Sequence, residues 1–348
     1  DLFSPFSEPD RKQLEKALDV VALIPEDAHY HRPKSMDVAM ILMEFHVDLE
    51  TILATLLSDS RFEQIQPQPD IKKLFGEKVA ALVKDVMWLH KLTVYSPEMA
   101  NKPNQAEILR RMLLSMTQDV RAVLIKLAYR LEFLRLLPKE SYDLRHFIAQ
   151  ETLDIYAPIA NRLGIHQFKW ELEDMAFRYL EPTIYRQIAK SLSANRIYRE
   201  TSITQFIQIL TKTLADEGVF CECYGRPKHI YSIWKKMQRK KLPIEELYDL
   251  LAVRVIVDNL TQCYTALGIV HNLWQTIPKE FDDYIANPKE NGYQSLHTVI
   301  LDSDGNRIEV QIRTRDMHNY AELGVAAHWS YKEGGKQSAA VEKSIATL

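Results

Sequence analysis

At 348 residues with 46% hydrophobic content, the chain is long enough for two domains, each with a sizeable core. A formal net charge of -3 excludes a general nucleic-acid coat, which needs a broad cationic surface, so any basic site must be local. Three cysteines without CxxC spacing point to neither a disulfide framework nor a zinc site and fit a reducing cytoplasm; no apolar run approaches the ~18 residues that span a bilayer.

With no leader and no initiator methionine, the chain is expected to be a piece of a longer one. Only Gly76 and Gly164 precede residue 200, and the other eight glycines lie beyond it, so the chain changes character near its middle. Residues 36–57, 108–137 and 168–180 carry apolar side chains at spacings of three and four, which predicts helices. An all-helical domain with its connecting helices is expected over 1–195. Beyond it, 219–224, 251–257, 293–301 and 307–313 read as strands, and 228–240, 260–274 and 314–331 as helices. That predicts a mixed α/β domain over 196–340 and a tail over 341–348.

No glycine stands in GxxxxGKS/T or GxGxxG spacing, so phosphate binding must fall to side chains. Arg226-Pro-Lys-His opens a helix whose apolar stripe is Ile230, Ile233, Trp234 and Met237. Lys228, Ser232, Lys235, Lys236 and Arg239 form its polar stripe. Residues 226–241 hold seven Lys or Arg and no acid, enough to grip a triphosphate; alone, a basic helix is equally at home in solvent or on RNA.

Residues 307–313 alternate strictly, which puts Ile308, Val310 and Ile312 on a core face and Arg307, Glu309, Gln311 and Arg313 on the other. Asn287-Pro-Lys-Glu-Asn-Gly292 supplies turn formers, and the strand after it sets Tyr293 and His297 on one face. Tyr293 could stack on a base while Lys289 and Asn291 reach its phosphates. An ordinary amphipathic hairpin is the plain alternative. Asp249, at the start of the 251–257 strand, and Glu309 could share a divalent cation; the plain alternatives are a cap for Asp249 and an ion pair to Arg254 or Arg313 for Glu309.

Taken together, residues 225–237, Asp249-Leu-Leu-Ala-Val-Arg254 and the 280–313 segment resemble the synthetase domain of the RelA/SpoT homologue family, over about the last half of the chain. The resemblance implies a nucleotidyltransferase-like mixed-sheet domain that transfers pyrophosphate from ATP to the 3'-hydroxyl of GTP or GDP, making (p)ppGpp and AMP. By the same resemblance, Arg226, Lys228, Ser232, Lys236 and Arg254 hold ATP, with the Arg226 guanidinium on adenine. Asp249 and Glu309 hold Mg2+, Glu309 is also the base, and Gln311 orients or neutralises. Lys289, Asn291, Tyr293, His297 and Arg313 hold the acceptor, with guanine on Tyr293. Glu280-Phe-Asp-Asp283 is the acidic form of a loop that in two-function members reads Arg-x-Lys-Asp, which implies a RelA-type, synthesis-only enzyme biased toward GTP.

Two-function relatives carry a manganese hydrolase of HD type in the helical half. Aligned to that pattern, Lys34 and Ser58 stand where histidines belong and Tyr129 stands for an aspartate, leaving Asp59 alone among His29, His31 and His46. A degenerate, inactive hydrolase domain is expected, since one carboxylate cannot hold a catalytic metal. The resemblance also implies ribosome and uncharged tRNA as partners of a full-length cytoplasmic protein. The competing readings are a nucleotidyltransferase that releases pyrophosphate, and a nucleotide-sensing or RNA-binding module without turnover.

Overall fold

The structure, a computed structural model, describes residues 5–27, 29–93, 95, 96, 98, 102–194, 196–226, 228–244, 247 and 251–329. Two compact units form, Asp1–Leu180 with Val325–Leu348, and Glu181–Gly324.

The first unit is helical: α1 (Glu8–Val21), α2 (Ser35–Glu44), α3 (Leu49–Leu56), α4 (Ile71–Phe75), α5 (Glu77–Lys91), α6 (Pro103–Met116), α7 (Arg121–Leu136), α8 (Tyr142–Glu151), α9 (Ala157–Arg162) and α10 (His166–Leu180). Helix α7 is apolar on nearly every side and buries Leu124, Ile125, Leu127, Ala128, Leu131 and Leu134, as a central helix must. Two of the predicted helices are each broken once. The 36–57 run stops at Phe45, where His46 takes a left-handed φ of 52°. The 108–137 run stops at Met116, and Asp119 then accepts from the Arg121 backbone N–H at 2.9 Å to start α7. The Arg121 guanidinium reaches Asp48 at 2.6 Å and Glu50 at 2.9 Å, which ties the start of α7 to the start of α3.

The second unit runs α11 (Pro182–Ala194), α12 (Arg196–Asp216), β1 (Glu222–Gly225), α13 (Ile230–Lys240), β2 (Leu251–Val257), α14 (Leu260–Leu273), β3 (Gln275–Thr276), β4 (Asp282–Asp283), β5 (Leu296–Leu301), β6 (Arg307–Thr314) and α15 (Arg315–Leu323). The sheet order is β1-β2-β6-β5-β3, with β4 also on β5. Strands β2 and β6 are parallel and the other pairs antiparallel. Val253, Val255, Ile308, Val310 and Ile312 point to one face, where Leu210 of α12 and Val270 of α14 close the core. Trp274 stacks on Phe206 with ring centroids 4.3 Å apart. Among the described residues of this unit, the other face of the sheet keeps polar side chains, and there the alternation of β6 matters for chemistry.

Three sequence expectations shift. The units divide at Leu180 and Glu181, not at 195, because Ile188 of α11 packs with Ile233, Ile244 and Leu247. The 293–301 strand begins only at Leu296, since Gly292 sits in a turn with φ of 79°. The last helix stops at Leu323, where Gly324 takes φ of 53°, and a 3-10 turn follows over Gly324–Trp329. The expected tail over 341–348 lies outside the described residues.

The apolar stripe of α13 seats on that small cluster, with Ile230, Trp234 and Met237 around Ile233. Ile233→Ala is therefore expected to cost about 2–4 kcal/mol in urea unfolding.

Candidate active site

Strand register assembles the site. Parallel pairing sets Ala252 beside Glu309 and Arg254 beside Gln311. Antiparallel pairing sets His297 on the other side of Gln311, Tyr224 beyond Arg254, and Asp282 beyond His297. Residues opposite one another share a face, so Tyr224, Arg254, Gln311, His297 and Asp282 form one line across the sheet, on the side away from the core.

Glu309 lies one step along β6 from that line. Its Oε2 accepts from Lys228 Nζ at 3.0 Å, and its Oε1 from Gln311 Nε2 at 2.9 Å, with Arg226 Nη1 at 3.4 Å. Burial works against ionisation of Glu309, but the Lys228 and Arg226 charges outweigh it and hold the carboxyl far below the usual range. Lys228 is drawn down by burial, with Glu309 working against the shift, and burial together with Lys228 pulls Lys236 down to about 8. The Arg226 backbone N–H donates to the Ala252 carbonyl at 2.8 Å and so carries β1 one residue further along β2.

From Glu309 the hydrogen bonds continue along β6. Gln311 Oε1 accepts from Arg313 Nη2 at 2.8 Å. The face opposite the core is itself buried here, for Gln311 is 3% and Arg313 1% exposed. Two guanidinium nitrogens of Arg313, Nε and Nη1, have no acceptor among the described residues, and its carbon lies 5.5 Å from the Tyr293 ring centre. Arg254 turns to α15, donating to Glu322 at 3.1 Å, and lies 6.0 Å from the Tyr224 ring centre. Ser232 is exposed on α13, on the same polar stripe as Lys236.

The turn before β5 is held from three directions. Gly292 N–H donates to Lys289 at 2.8 Å, Asn291 Oδ1 accepts from Tyr293 N–H at 3.2 Å, and the Tyr320 hydroxyl of α15 donates to the Asn291 carbonyl at 3.0 Å. Tyr293 Oη lies 2.7 Å from His297 Nε2. Burial pushes His297 down to about 3, so its ring is neutral near pH 7. Lys289 Nζ sits 4.5 Å from the Tyr284 ring centre and 5.2 Å from that of Tyr293. The Tyr293 ring is thus covered, with 8% of the residue exposed.

Tyr284 is a residue that sequence reasoning missed. Its ring meets His297 edge-on at 5.1 Å, but it stands outside any alternating run that would have marked it. Arg196 and Arg199 of α12 were also missed; with Ile203, Gly225, Arg226 and Lys228 they line a cavity of about 380 Å³, and only their spacing of three on a helix hinted at a shared face. In the acidic loop, Asp283 is structural: its carboxylate caps Ile285 and Ala286 N–H at 3.0 and 2.8 Å and accepts from Tyr264 at 2.9 Å. Glu280 raises the charge affinity of Lys236, whereas Asp282 is exposed. Asp249 lies outside the described residues.

In the helical unit, the residues aligned with hydrolase ligands do gather, though not around a vacant carboxylate. Asp59 is buried and accepts from Arg61 Nε at 2.8 Å, Arg61 Nη2 at 2.7 Å and Ser35 N–H at 3.0 Å. Ser58 donates to the Ala54 carbonyl and Tyr129 to that of Thr55. His90 lies edge-on to Tyr129 at 4.5 Å, with Lys126 Nζ 3.3 Å from its Nδ1. Burial takes Lys126 down to about 7. Lys34 precedes α2 without capping it, and His29 and His46 are exposed.

Residues 225–336 match the region found in RelA/SpoT proteins, and residues 28–166 match an HD domain. A Haemophilus influenzae protein named GTP pyrophosphokinase is 49% identical over 90% of this chain, and one of the same name from Escherichia coli K12 is 47% identical over 86%. The chain spans 42% and 41% of those two relatives. A crystal structure of small alarmone synthetase 1 from Bacillus subtilis, bound to its product pppGpp, is 23% identical with a TM-score of 0.33, covering 47% of this chain and 89% of that one. A helical HD-type region followed by a mixed-sheet region, both matched in sequence and in that order, makes the chain a member of the RelA/SpoT homologue family.

Proposed function

We propose that the sheet unit transfers pyrophosphate from ATP to the 3'-hydroxyl of GTP or GDP. The single observation that carries this is the position of Glu309. It is one ionised carboxylate, bonded to Lys228 and Arg226 on one side and linked through Gln311 to Arg313 and the Tyr293 ring on the other. Two cation-lined subsites flank one base. The relatives named GTP pyrophosphokinase support the same reading.

On the donor side, Arg226, Lys228 and Lys236, with Ser232 beside them, take the triphosphate, and the Arg226 guanidinium is a plane for adenine. Arg254 completes this side through the line it shares with Gln311. On the acceptor side, Lys289 leaves the Tyr284 and Tyr293 rings for phosphate, and guanine takes its place on Tyr293. Asn291 and neutral His297 then bound the sugar and phosphates. Glu309 accepts the 3'-hydroxyl proton as that oxygen bonds to the β-phosphorus, and the bond from β-phosphorus to the oxygen bridging it to the α-phosphorus breaks, that oxygen leaving with AMP. Arg313, tied to Gln311, neutralises charge on the acceptor side.

Among the described residues no three His, Cys, Asp or Glu gather as a metal cage. Glu309, an oxygen donor facing a triphosphate site, nonetheless fits Mg2+, which is held by one or two carboxylates plus substrate phosphates. Asp249 would be the second carboxylate. When bound, the ion would neutralise the β and γ oxygens. The acidic loop around Glu280 and Asp282 biases the acceptor toward GTP.

The helical unit is without hydrolase activity in this reading. Support comes from Asp59, whose oxygens are taken by Arg61 and Ser35, and from Ser58 and Tyr129, which spend their hydroxyls on backbone carbonyls. The whole protein would act in the cytoplasm with the ribosome and uncharged tRNA. No helix among the described residues is long and apolar enough to cross a membrane.

With ATP, GTP and Mg2+, the chain is expected to yield AMP and pppGpp on anion exchange, and Glu309→Gln to lose about 10³-fold or more in rate. Release of free pyrophosphate would instead favour a nucleotidyltransferase, and binding without turnover a sensor.

Gly292→Ala is expected to raise the KM for GTP more than that for ATP. Its φ of 79° disfavours a side chain, and a Cβ there would stand 2.7 Å from Tyr320 Oη. Tyr293→Ala should show the same asymmetry.

Lys126 offers a pH test. Its pKa of about 7 lies below the ordinary 10.5, so the unfolded chain holds the extra proton between those values and stability rises with pH across that window. Lys126→Met should flatten that rise and add about 1–2 kcal/mol near pH 7, measured by urea unfolding.

A further inference from the structure

Lys228 serves two partners that cannot both hold it. It belongs to the basic segment 226–241, which has seven cations and no acid, yet its ammonium is spent on Glu309 Oε2 at 3.0 Å. The side chain is only 12% exposed, so this is an interior contact, not a surface pair that water would loosen. On the other oxygen, Gln311 donates at 2.9 Å and Arg226 stands back at 3.4 Å. Of the two cations, Lys228 makes the close contact. A divalent ion bonded to Oε2 at the ~2.1 Å that Mg2+ requires would meet the ammonium at short range, with little water to screen the repulsion.

We propose that Lys228 is a stand-in cation for the metal position. It neutralises Glu309 while no donor is bound, and an arriving triphosphate draws it from carboxylate to phosphate, opening Oε2 to a divalent ion. The inference rests on the reading of this unit as the pyrophosphate-transfer site.

Three features favour the exchange. Lysine carries a compact charge on a long, flexible stem, so the ammonium can swing between partners without backbone movement. Its neighbour Arg226 stands 3.4 Å from Glu309 Oε1, a looser contact than the 3.0 Å one that Lys228 makes. Gln311, neutral, keeps Oε1 in place through the exchange because Arg313 holds its amide oxygen at 2.8 Å. Linkage makes the coupling mutual: whatever factor nucleotide adds to metal affinity, metal adds to nucleotide affinity. The carboxylate is thereby kept from taking a divalent ion before there is anything to transfer.

The test is Mn2+ binding to the full chain without nucleotide, read from the free-ion electron paramagnetic resonance signal. Lys228→Met is expected to bind Mn2+ at least 10-fold more tightly than the parent. Lys228→Gln, which keeps a hydrogen-bond donor near Oε2 and serves if the methionine variant fails to fold, should gain about 3-fold or more. Adding Glu309→Gln to either variant should abolish the gain. Lys235→Met, which removes an exposed charge from the same helix, should leave Mn2+ affinity as in the parent.

Equal affinity in parent, Lys228→Met and Lys228→Gln overturns the proposal, and so does an equal gain in Lys235→Met, which would indicate only the general field of the helix. AMP formation by the parent with ATP and GTP is assayed alongside. If AMP forms and Mn2+ affinity does not respond, this inference alone fails; if no AMP forms, the pyrophosphate-transfer reading fails with it.

Discussion

The sheet unit depends on how one half-buried carboxylate is kept ionised. Glu309 stands on a strand whose alternate residues, Ile308 and Val310, are wholly buried. Desolvation there favours the protonated form of an isolated glutamate. The Lys228 and Arg226 charges reverse that, and Gln311 supplies a neutral donor. The strand order makes this possible. With β6 between β2 and β5, its polar residues are reachable from the β1 and α13 side and from the turn before β5. Ala252, paired with Glu309 across the parallel ladder, accepts from the Arg226 N–H through its carbonyl and so brings Arg226 to that side of the sheet.

Among the described residues, the cations of the polar face outnumber the carboxylates they pair with. Arg226, Lys228, Arg254 and Arg313 meet two carboxylates, those of Glu309 and Glu322. The excess is tolerated through aromatic contacts, Arg254 near Tyr224 and Arg313 near Tyr293, which cost less than a bare buried cation but do not cancel the charge. Donor nitrogens on Arg254 and Arg313 remain without acceptors among the described residues. A face built this way is least stable alone and gains most from a polyanion, because each unmade hydrogen bond is a penalty already incurred.

Much of the framework was legible because it depends on local periodicity. Strict alternation over 307–313 and the apolar run over 251–257 mark β6 and β2, and the stripe Ile230, Ile233, Trp234 and Met237 marks the buried side of α13. What could not be read is the pairing of charges far apart in sequence. The plain alternative for Glu309 was an ion pair with Arg254 or Arg313, yet Arg254 goes to Glu322 and Arg313 to Gln311, while Glu309 takes Lys228 from 81 positions away. Burial was not legible for a related reason. Alternation says which side a residue faces, not what covers that side, so it does not show that Gln311 and Arg313 are buried. Tyr284 had no periodic signal and Arg199 only its spacing of three from Arg196, because a loop residue and the first turns of a helix join a site only through the fold.

The helical unit answers the same electrostatic problem differently. Asp59 is buried as deeply as any residue of its unit, and its counterion comes from Arg61, two positions on, as a bidentate pair that also satisfies both oxygens. Arg61 is covalently present in every folded molecule, so folding of the unit needs no metal to neutralise this carboxylate. Tyr129 and Ser58 both donate to backbone carbonyls of α3, those of Thr55 and Ala54, which fills the space with ordinary packing. An internal guanidinium whose planar fork is committed at both oxygens is held more firmly than the single flexible ammonium of Lys228. One acid is therefore locked by a bidentate neighbour and the other held by a single flexible ammonium, and that difference in the partner's freedom distinguishes the two carboxylates.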